Sequence, residues 1–159
     1  MEAFENIYNE YFPRVYRFLS GFCSDSALCE EITQETFYRA YVNFGKYDGS
    51  CDIFTWLAAI AKNTYYNYLR KNKIKFVKLE VTEEDENGDP VEIMSREYEA
   101  KRVKKAVSAL PEKYRDVVFL RIYANSSYRD IASYLGICES TAKVIFHRAK
   151  EMLKKELSK

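Results

Sequence analysis

Apolar residues recur along this 159-residue chain at the three- and four-residue intervals of amphipathic helices. Phe37, Ala40, Tyr41 and Phe44 form one such stripe, and IFTWLAAIAKNTYYNYLRK (residues 53–71) begins with another. No segment of comparable length alternates between apolar and polar positions as a half-buried strand does. The pattern predicts an all-α protein.

The first helical pattern, from Phe4 to Phe22, contains Pro13. A proline inside a helix costs about 3 kcal/mol, because it removes a backbone donor and its ring clashes with the preceding turn. We therefore expect a kink or a break at this position.

Residues 126–153, SSYRDIASYLGICESTAKVIFHRAKEML, predict two short helices joined by a tight turn. Ile131, Ala132 and Leu135 share one face of the first helix, and Gly136 then ends it, as glycine does where the backbone turns left-handed. The apolar stripe of the second helix consists of Ala142, Ile145, Phe146, Ala149, Met152 and Leu153. Its outward face consists of Thr141, Lys143, Val144, His147, Arg148 and Lys150. This pattern is typical of a DNA-binding helix-turn-helix, although an ordinary helical hairpin with a solvated basic face shares it.

Charge is distributed unevenly, although the net charge of the whole chain is only +1. Residues 77–95 carry a net charge of −6, and residues 96–159 carry a net charge of +7. A basic helical unit suits a polyanion, because each lysine–phosphate contact releases counterions from the nucleic acid. The alternative is that these lysines only solubilise the protein. The helix-turn-helix pattern in the same segment favours DNA.

An acidic segment separates two helical units. Residues 77–95 contain EEDENGDP, whose Asn-Gly and Asp-Pro pairs favour turns, and they show no helical apolar periodicity. We predict an N-terminal unit (residues 1–76), a flexible acidic linker (residues 77–95) and a C-terminal unit (residues 96–159). Each unit is near the lower size at which a domain folds alone, and an aromatic content of 16% lets each bury a small core.

The helix predicted at residues 53–71 carries a basic and aromatic tail, TYYNYLRK. This composition is typical of proteins that bind single-stranded nucleic acid, because aromatic rings stack on unpaired bases and cations follow the phosphates. Asn63 and Asn67 lie one turn apart on one face and can hydrogen-bond to base edges. Core packing is the alternative, and we expect Trp56 and at least one of these tyrosines to be buried.

The four cysteines form no CxxC pair, and the single histidine, His147, lies on the predicted DNA face. A zinc site is therefore not expected, and the thiols are expected to pack in a core. The apolar stretch at residues 53–61 is too short to span a bilayer, and the acidic N-terminus is unlike a signal peptide. We expect a cytoplasmic protein with no metal, no cofactor and no catalytic constellation.

Two parts of the chain carry a family resemblance. CEEITQETFYRAY (residues 29–41), followed by FTWLAAIAKNTYYNYLR (residues 54–70), resembles region 2 of the bacterial sigma-70 family, in its small extracytoplasmic-function group. ALPEKYRDVVFLRIYANSSYRDIASYLGICESTAKVIFHRAKEML (residues 109–153) resembles region 4 of that group. The resemblance implies a promoter-recognition subunit that binds core RNA polymerase and promoter DNA, with no small-molecule substrate. It also implies a protein inhibitor, an anti-sigma factor, that is often membrane-anchored.

The resemblance implies three sets of contact residues. The residues that match the polymerase contact are Glu31, Gln34 and Glu35. The residues that match minus-ten recognition lie in the 46–52 loop, which holds a flipped base in the family, and in the helix after it: Lys46, Tyr47, Asp48, Gly49, Ser50, Lys62, Asn63, Tyr66, Asn67 and Arg70. The residues that match the minus-thirty-five contact are Ser140, Thr141, Lys143, Val144, His147, Arg148 and Lys150.

The recognition helix departs from the family pattern in two places. Cys138 stands where serine or proline commonly opens this helix, and a thiol is a weak cap. Val144 and Ile145 stand where a Ser-Arg pair is frequent, so a basic contact is lost and Val144 can instead touch a thymine methyl group. The promoter sequence of a relative therefore does not transfer to this chain.

Two other functions stay open on the sequence alone. A stand-alone helix-turn-helix regulator, whose N-terminal unit senses a signal or dimerises, would bind palindromic duplex sites unaided. A sigma-like decoy would bind polymerase without directing it. The acidic linker and the TYYNYLRK tail favour the sigma factor over the regulator.

Overall fold

The structure, a computed structural model, describes residues 2–72 and 90–159 of the chain, with side chains for residues 3–72 and 98–159. Both ranges fold into helices and connecting turns, so the predicted all-α class is confirmed. The α-helices are α1 (Glu2–Ser20), α2 (Ser26–Val42), α3 (Ile53–Lys71), α4 (Pro90–Ala109), α5 (Glu112–Val118), α6 (Tyr128–Leu135) and α7 (Glu139–Leu157). A 3₁₀ turn at Phe44–Lys46 follows α2, and a π-helical turn at Phe119–Tyr123 follows α5.

Helices α1, α2 and α3 pack as a three-helix bundle, and carboxylate caps fix where two of them begin. Asp25 accepts hydrogen bonds from the backbone N–H groups of Ala27 and Leu28, at 3.0 and 3.3 Å. Asp52 accepts one from the N–H of Phe54 at 3.2 Å. These caps satisfy donors that lack a partner in the first turn, and each stabilises its helix by about 1 kcal/mol.

We expected a kink or a break at Pro13, and the break does not occur, because helix α1 continues through this residue. The next turns place Val15 and Leu19 on the bundle axis, where both are fully buried. Tertiary packing of an amphipathic face contributes more to helix stability than propensity does, which offsets the missing donor of the proline.

The apolar stripe predicted along α2 is buried only in part. Phe37 and Ala40 are buried, as predicted. Tyr41 is 50% exposed, and its ring lies 5.2 Å from that of Phe4. The end of α2 therefore forms the edge of the bundle, where aromatic rings from α1 cover only one side of the stripe.

Helices α6 and α7 form the predicted helix-turn-helix. The Ser127 hydroxyl begins α6 by accepting a hydrogen bond from the N–H of Asp130 at 3.0 Å. Gly136 ends the helix with φ +69°, a left-handed conformation that glycine adopts without strain. Helix α7 then begins after Cys138, whose side chain makes no capping hydrogen bond, as the sequence indicated.

The stripe along α7 packs against α4, α5 and α6. Ala142, Ile145 and Ala149 are buried, but Met152 is 39% exposed and its predicted burial is wrong. A helix rotates about 100° per residue, which places Met152 roughly 60° from Ala149 and at the edge of the stripe.

The N-terminal and C-terminal units pack against each other, and their buried side chains form one continuous core. Helix α3 contacts α6 and the π-helical turn. The Phe22 ring lies 4.7 Å from the Phe119 ring and 5.5 Å from the Tyr123 ring. Gly21 permits this approach, because a Cβ atom there would lie 2.8 Å from Cδ1 of Tyr123. The sequence predicts a small core in each unit and does not reveal that the two join.

Helix α4 begins at Pro90, so residues 90–95 of the predicted linker are helical. Proline is a favourable first residue of a helix, because its fixed φ suits the first turn and its missing N–H is not needed there. The rest of the predicted linker, residues 77–89, lies outside the described residues. Within the two described ranges, no helix is long and apolar enough to cross a membrane.

Candidate polymerase and nucleic-acid interfaces

The exposed face of α2 carries the residues that match the polymerase contact. Glu31, Gln34 and Glu35 are all exposed, because the opposite face of the helix is buried in the bundle. Glu35 pairs with Arg39 at 3.1 Å, one turn further along. An exposed pair of this kind contributes little to stability, so both side chains can be recruited by a partner.

A groove of about 550 Å³ runs between α2 and α3 beside this face. Its α2 wall includes Glu31, Gln34 and Glu35, and its α3 wall includes Asn67 and Lys71. The structure thus brings Asn67, which matches a minus-ten contact, next to the candidate polymerase face. Helical spacing within one segment could not predict this proximity, because the two walls come from different helices.

The loop at residues 46–52 is held by its own hydrogen bonds. The Tyr47 hydroxyl donates to the carbonyl of Cys51 at 2.5 Å, and the Asp48 carboxylate accepts from the N–H of Ser50 at 2.9 Å. Gly49 turns the chain with φ +78°. The Tyr47 ring lies 5.1 Å from that of Trp56, which is half-buried rather than buried as predicted. The loop is therefore shaped before any ligand arrives, with Lys46, Asp48, Gly49 and Ser50 exposed.

Some of the minus-ten candidates on α3 are exposed to solvent, and others are buried against the C-terminal unit. Asn63 and Arg70 are exposed, and Asn67 is half-buried. Lys62 and Tyr66 are buried, with exposed fractions of 2% and 8%. In this arrangement neither Lys62 nor Tyr66 can touch DNA.

The C-terminal unit buries Lys62 and Tyr66. The Lys62 Nζ lies 2.5 Å from Oδ1 of Asp116, on α5. The Arg115 guanidinium lies over the Tyr66 ring, 4.1 Å from its centroid. Burial lowers the pKa of the Lys62 ammonium, and the Asp116 carboxylate opposes this effect.

Further residues of the C-terminal unit lie against α3 or the residue that caps it, and the sequence predicted no role for any of them. Burial raises the pKa of the Tyr134 hydroxyl, and the nearby Asn63 side chain opposes this shift. Asp130 and Ser126 contact the start of α3. The position of Asp116 was one available signal. It is the only carboxylate in the otherwise apolar run DVVFL (residues 116–120), and this pattern predicts a buried charge that needs a partner.

The outward face of α7 has the predicted exposure. All of its predicted contact residues are exposed: Ser140, Thr141, Lys143, Val144, His147, Arg148 and Lys150. Lys143 lies 3.9 Å from Glu139 and 5.9 Å from the Tyr128 ring centroid, while Lys150 lies over Phe146. These contacts involve exposed or half-buried groups, so the basic side chains can turn toward phosphates at little cost. The face is convex and basic, as a helix that enters the major groove requires.

Two family models match the chain in the same order as the two units. The Sigma-70 region 2 model matches residues 7–74, and the Sigma-70 region 4 model matches residues 100–153. The first covers α1 to α3 and the second covers the helix-turn-helix.

Individual proteins match over nearly the whole chain. It is 33% identical to the ECF RNA polymerase sigma factor SigM of Bacillus subtilis, over 94% of this chain and 92% of that protein. It is 26% identical to the RNA polymerase sigma factor YlaC of the same species, over 99% of this chain and 94% of that protein.

Two solved structures share the fold. The sigma factor RpoE of Bartonella quintana, in complex with the anti-sigma factor NepR, aligns with a TM-score of 0.62 at 20% identity, covering 99% of this chain and 98% of that one. CnrH, in complex with the cytosolic domain of CnrY, aligns with a TM-score of 0.65 at 18% identity, covering 99% and 88%.

Proposed function

Because the chain belongs to the sigma-70 family, in its extracytoplasmic-function group, we propose that it binds core RNA polymerase and directs initiation at specific promoters. The observation that carries the proposal is the pairing of two matched regions, in family order, with an exposed α2 face and an exposed basic α7 face. The stand-alone regulator is not favoured, because nearly the whole length aligns with sigma factors.

We assign each face a partner. The α2 face, with Glu31, Gln34 and Glu35, binds polymerase. The α7 face binds duplex DNA at the minus-thirty-five element, where phosphate contacts position the helix and a few side chains recognise base edges. Asn63 and Asn67, with the 46–52 loop, take up bases of the minus-ten element after the strands separate, and their contacts offset an unstacking cost of a few kcal/mol per step.

The chain performs no chemistry of its own in this proposal, because nucleotide addition belongs to the polymerase. It acts in the cytoplasm, where polymerase and promoter DNA are found. A protein inhibitor is a further expected partner, since the RpoE structure aligned above is of a sigma factor bound to an anti-sigma factor. Co-purification from native cells tests this point, and an inhibitor that contacts both units is the expected result.

Binding to promoter duplex, with and without core polymerase, tests the function. We expect weak, salt-sensitive binding by the free chain and specific binding once polymerase is added, because polymerase sets the spacing between the two DNA-binding faces. Tight, sequence-specific binding of palindromes by the isolated chain as a dimer would instead support the regulator.

A further inference from the structure

An exposed arginine rests on two aromatic rings where α1 meets the start of α3. The Arg14 guanidinium carbon lies 4.2 Å from the centroid of the Phe54 ring and 5.1 Å from that of the Tyr11 ring. The two rings are stacked, with 15° between their planes. Arg14 is exposed, Tyr11 is half-buried and Phe54 is buried, so the rings form a platform under an exposed guanidinium. We call this arrangement the Arg14 platform, and none of the three faces assigned above includes it.

The Arg14 platform lies beside the end of the 46–52 loop. Asp52, the last residue of this loop, accepts a hydrogen bond from the Phe54 N–H at 3.2 Å. Burial raises the pKa of the Tyr11 hydroxyl, and nearby carboxylates, Asp52 among them, raise it further. Both rings of the platform are therefore close to the residue at which the loop ends.

The Arg14 guanidinium keeps donors for a second partner. Among the residues that the structure describes, no carboxylate lies within ion-pair distance of it. A guanidinium whose face rests on a ring still has N–H groups along its edge, in a fork that matches two phosphate oxygens. The rings also restrict the side chain before any ligand binds, which lowers the entropy cost of a contact.

Exposed cations stand at both ends of the 46–52 loop. Lys46 is exposed at its start, and the Arg14 platform lies beside its end. A protein surface that holds a single strand combines contacts to the bases with cations that follow the phosphates. A base held in the loop, as proposed above, brings the phosphates on its two sides toward these two cations.

We propose that Arg14 binds a backbone phosphate of the separated promoter strand, next to the base that the 46–52 loop holds. This inference rests on the proposed function, because it adds a contact from α1 to the same face. The Tyr11 and Phe54 rings position the guanidinium, and the phosphate supplies its counter-charge. A phosphate contact carries no sequence information, so Arg14 contributes to the affinity for the strand and not to the choice of bases.

The alternative is that Arg14 only packs α1 against α3. A cation over an aromatic ring is attractive without any ligand, so loss of Arg14 can lower stability for that reason alone. Arg17 offers a matched control, because it is an exposed arginine one turn later on the same helix. It lines a groove between α1 and α2 with Glu30, and no residue of α3 lines that groove.

Binding of a single strand by the holoenzyme, measured at several salt concentrations, tests the contact. The probes are the two separated strands of a promoter that the unmodified chain uses with core polymerase, each labelled and tested alone. On the strand that binds more tightly, we expect Arg14→Gln to weaken binding about tenfold. The slope of log affinity against log salt should become about 0.7 shallower, which is the effect of one lost phosphate contact. Arg14→Lys keeps the charge and should keep the slope, and Arg17→Gln should match the unmodified chain.

Neutral phosphate analogues distinguish a contact from a change in packing. A methylphosphonate, which carries no charge, replaces one phosphate of the probe at a time. At one position it should weaken binding by the unmodified holoenzyme and leave Arg14→Gln unaffected, because that contact is already lost. Equal losses for both proteins at every position would overturn the inference, as would equal salt slopes for Arg14→Gln and Arg17→Gln. If the unmodified chain uses no promoter with core polymerase, the proposed function itself fails, which is a different result.

Discussion

Lys62 shows how a single buried charge can couple two parts of a molecule. Its environment lowers the pKa of the ammonium through burial, and Asp116 supplies the opposing attraction. The residue is therefore held by a partner on another helix, and loss of Asp116 would leave its ammonium buried and unpaired.

The Cys29 thiol predicts a dependence of stability on alkaline pH. Burial raises the pKa of the Cys29 thiol to about 11. A thiol in an unfolded chain has a pKa of about 8.5. Above that pH the unfolded state binds fewer protons than the folded state, so the free energy of unfolding falls as the pH rises toward 11. Thermal unfolding between about pH 7.5 and about pH 9.5 should show this loss, and Cys29→Ala should flatten the slope. Cys138→Ala, at an exposed thiol, is the control; the same flattening there would contradict the assignment.

Substitution on the α2 face should weaken polymerase association without unfolding the protein. Glu31→Lys reverses a charge and Gln34→Ala removes an amide, both at exposed positions. We expect each to cost about 1–2 kcal/mol of binding to core polymerase, measured by competition, with an unchanged melting temperature. Glu30→Lys makes the same charge change at the neighbouring exposed residue, outside the α2–α3 groove, and should bind normally. If Glu31→Lys and Gln34→Ala instead unfold the protein, both side chains are structural.

Asn63→Ala should impair strand opening more than initial promoter binding. Asn63 is exposed on α3, and its amide can recognise a base only once that base leaves the duplex. Permanganate footprinting of promoter thymines measures opening, and duplex binding by the holoenzyme measures the earlier step. Unchanged footprints would contradict the assignment of Asn63 as a residue that recognises an exposed base.

At the scale of elements, the sequence predicts a structural feature well when the residues that cause it lie close together in the chain. The helix-turn-helix follows from signals within a few residues, such as the capping Ser127 and the left-handed Gly136, and the structure has both. The burial of Lys62 follows from Asp116, which is distant in the sequence and lies on another helix. Spacing within α3 could place Lys62 on a face of the helix but could not say what covers that face.

The recognition helix α7 gives a prediction that separates base contacts from phosphate contacts. Arg148→Ala should weaken promoter use by about 1–3 kcal/mol at one base position if Arg148 contacts a base. If it contacts a phosphate, all sequences weaken alike and the salt dependence becomes shallower. Transcription from a small library of upstream elements at two salt concentrations distinguishes these outcomes.

Val144→Ser is the companion variant on the same exposed face. It should change the preference at a thymine position with little loss of overall affinity, because the valine offers only apolar contact to a methyl group. If neither Val144→Ser nor Arg148→Ala alters the ranking or yield of the promoters, α7 does not recognise the upstream element.

On the scale of the whole molecule, one continuous core supports the three faces to which we assign partners. The contact between the units is polar at Lys62–Asp116 and Thr55–Ser126 and aromatic around Phe119. The interface therefore combines polar pairs with aromatic packing, as interfaces between domains of one chain commonly do.

Transcription by core polymerase on genomic DNA, with and without this chain, tests the central claim most directly. Mapping the 5′ ends of the transcripts should reveal a new set of start sites that share two upstream elements at a constant spacing. That constant spacing follows from two DNA-binding faces whose separation the polymerase sets. Identical start sites in the presence and absence of the chain would contradict the claim that it directs initiation.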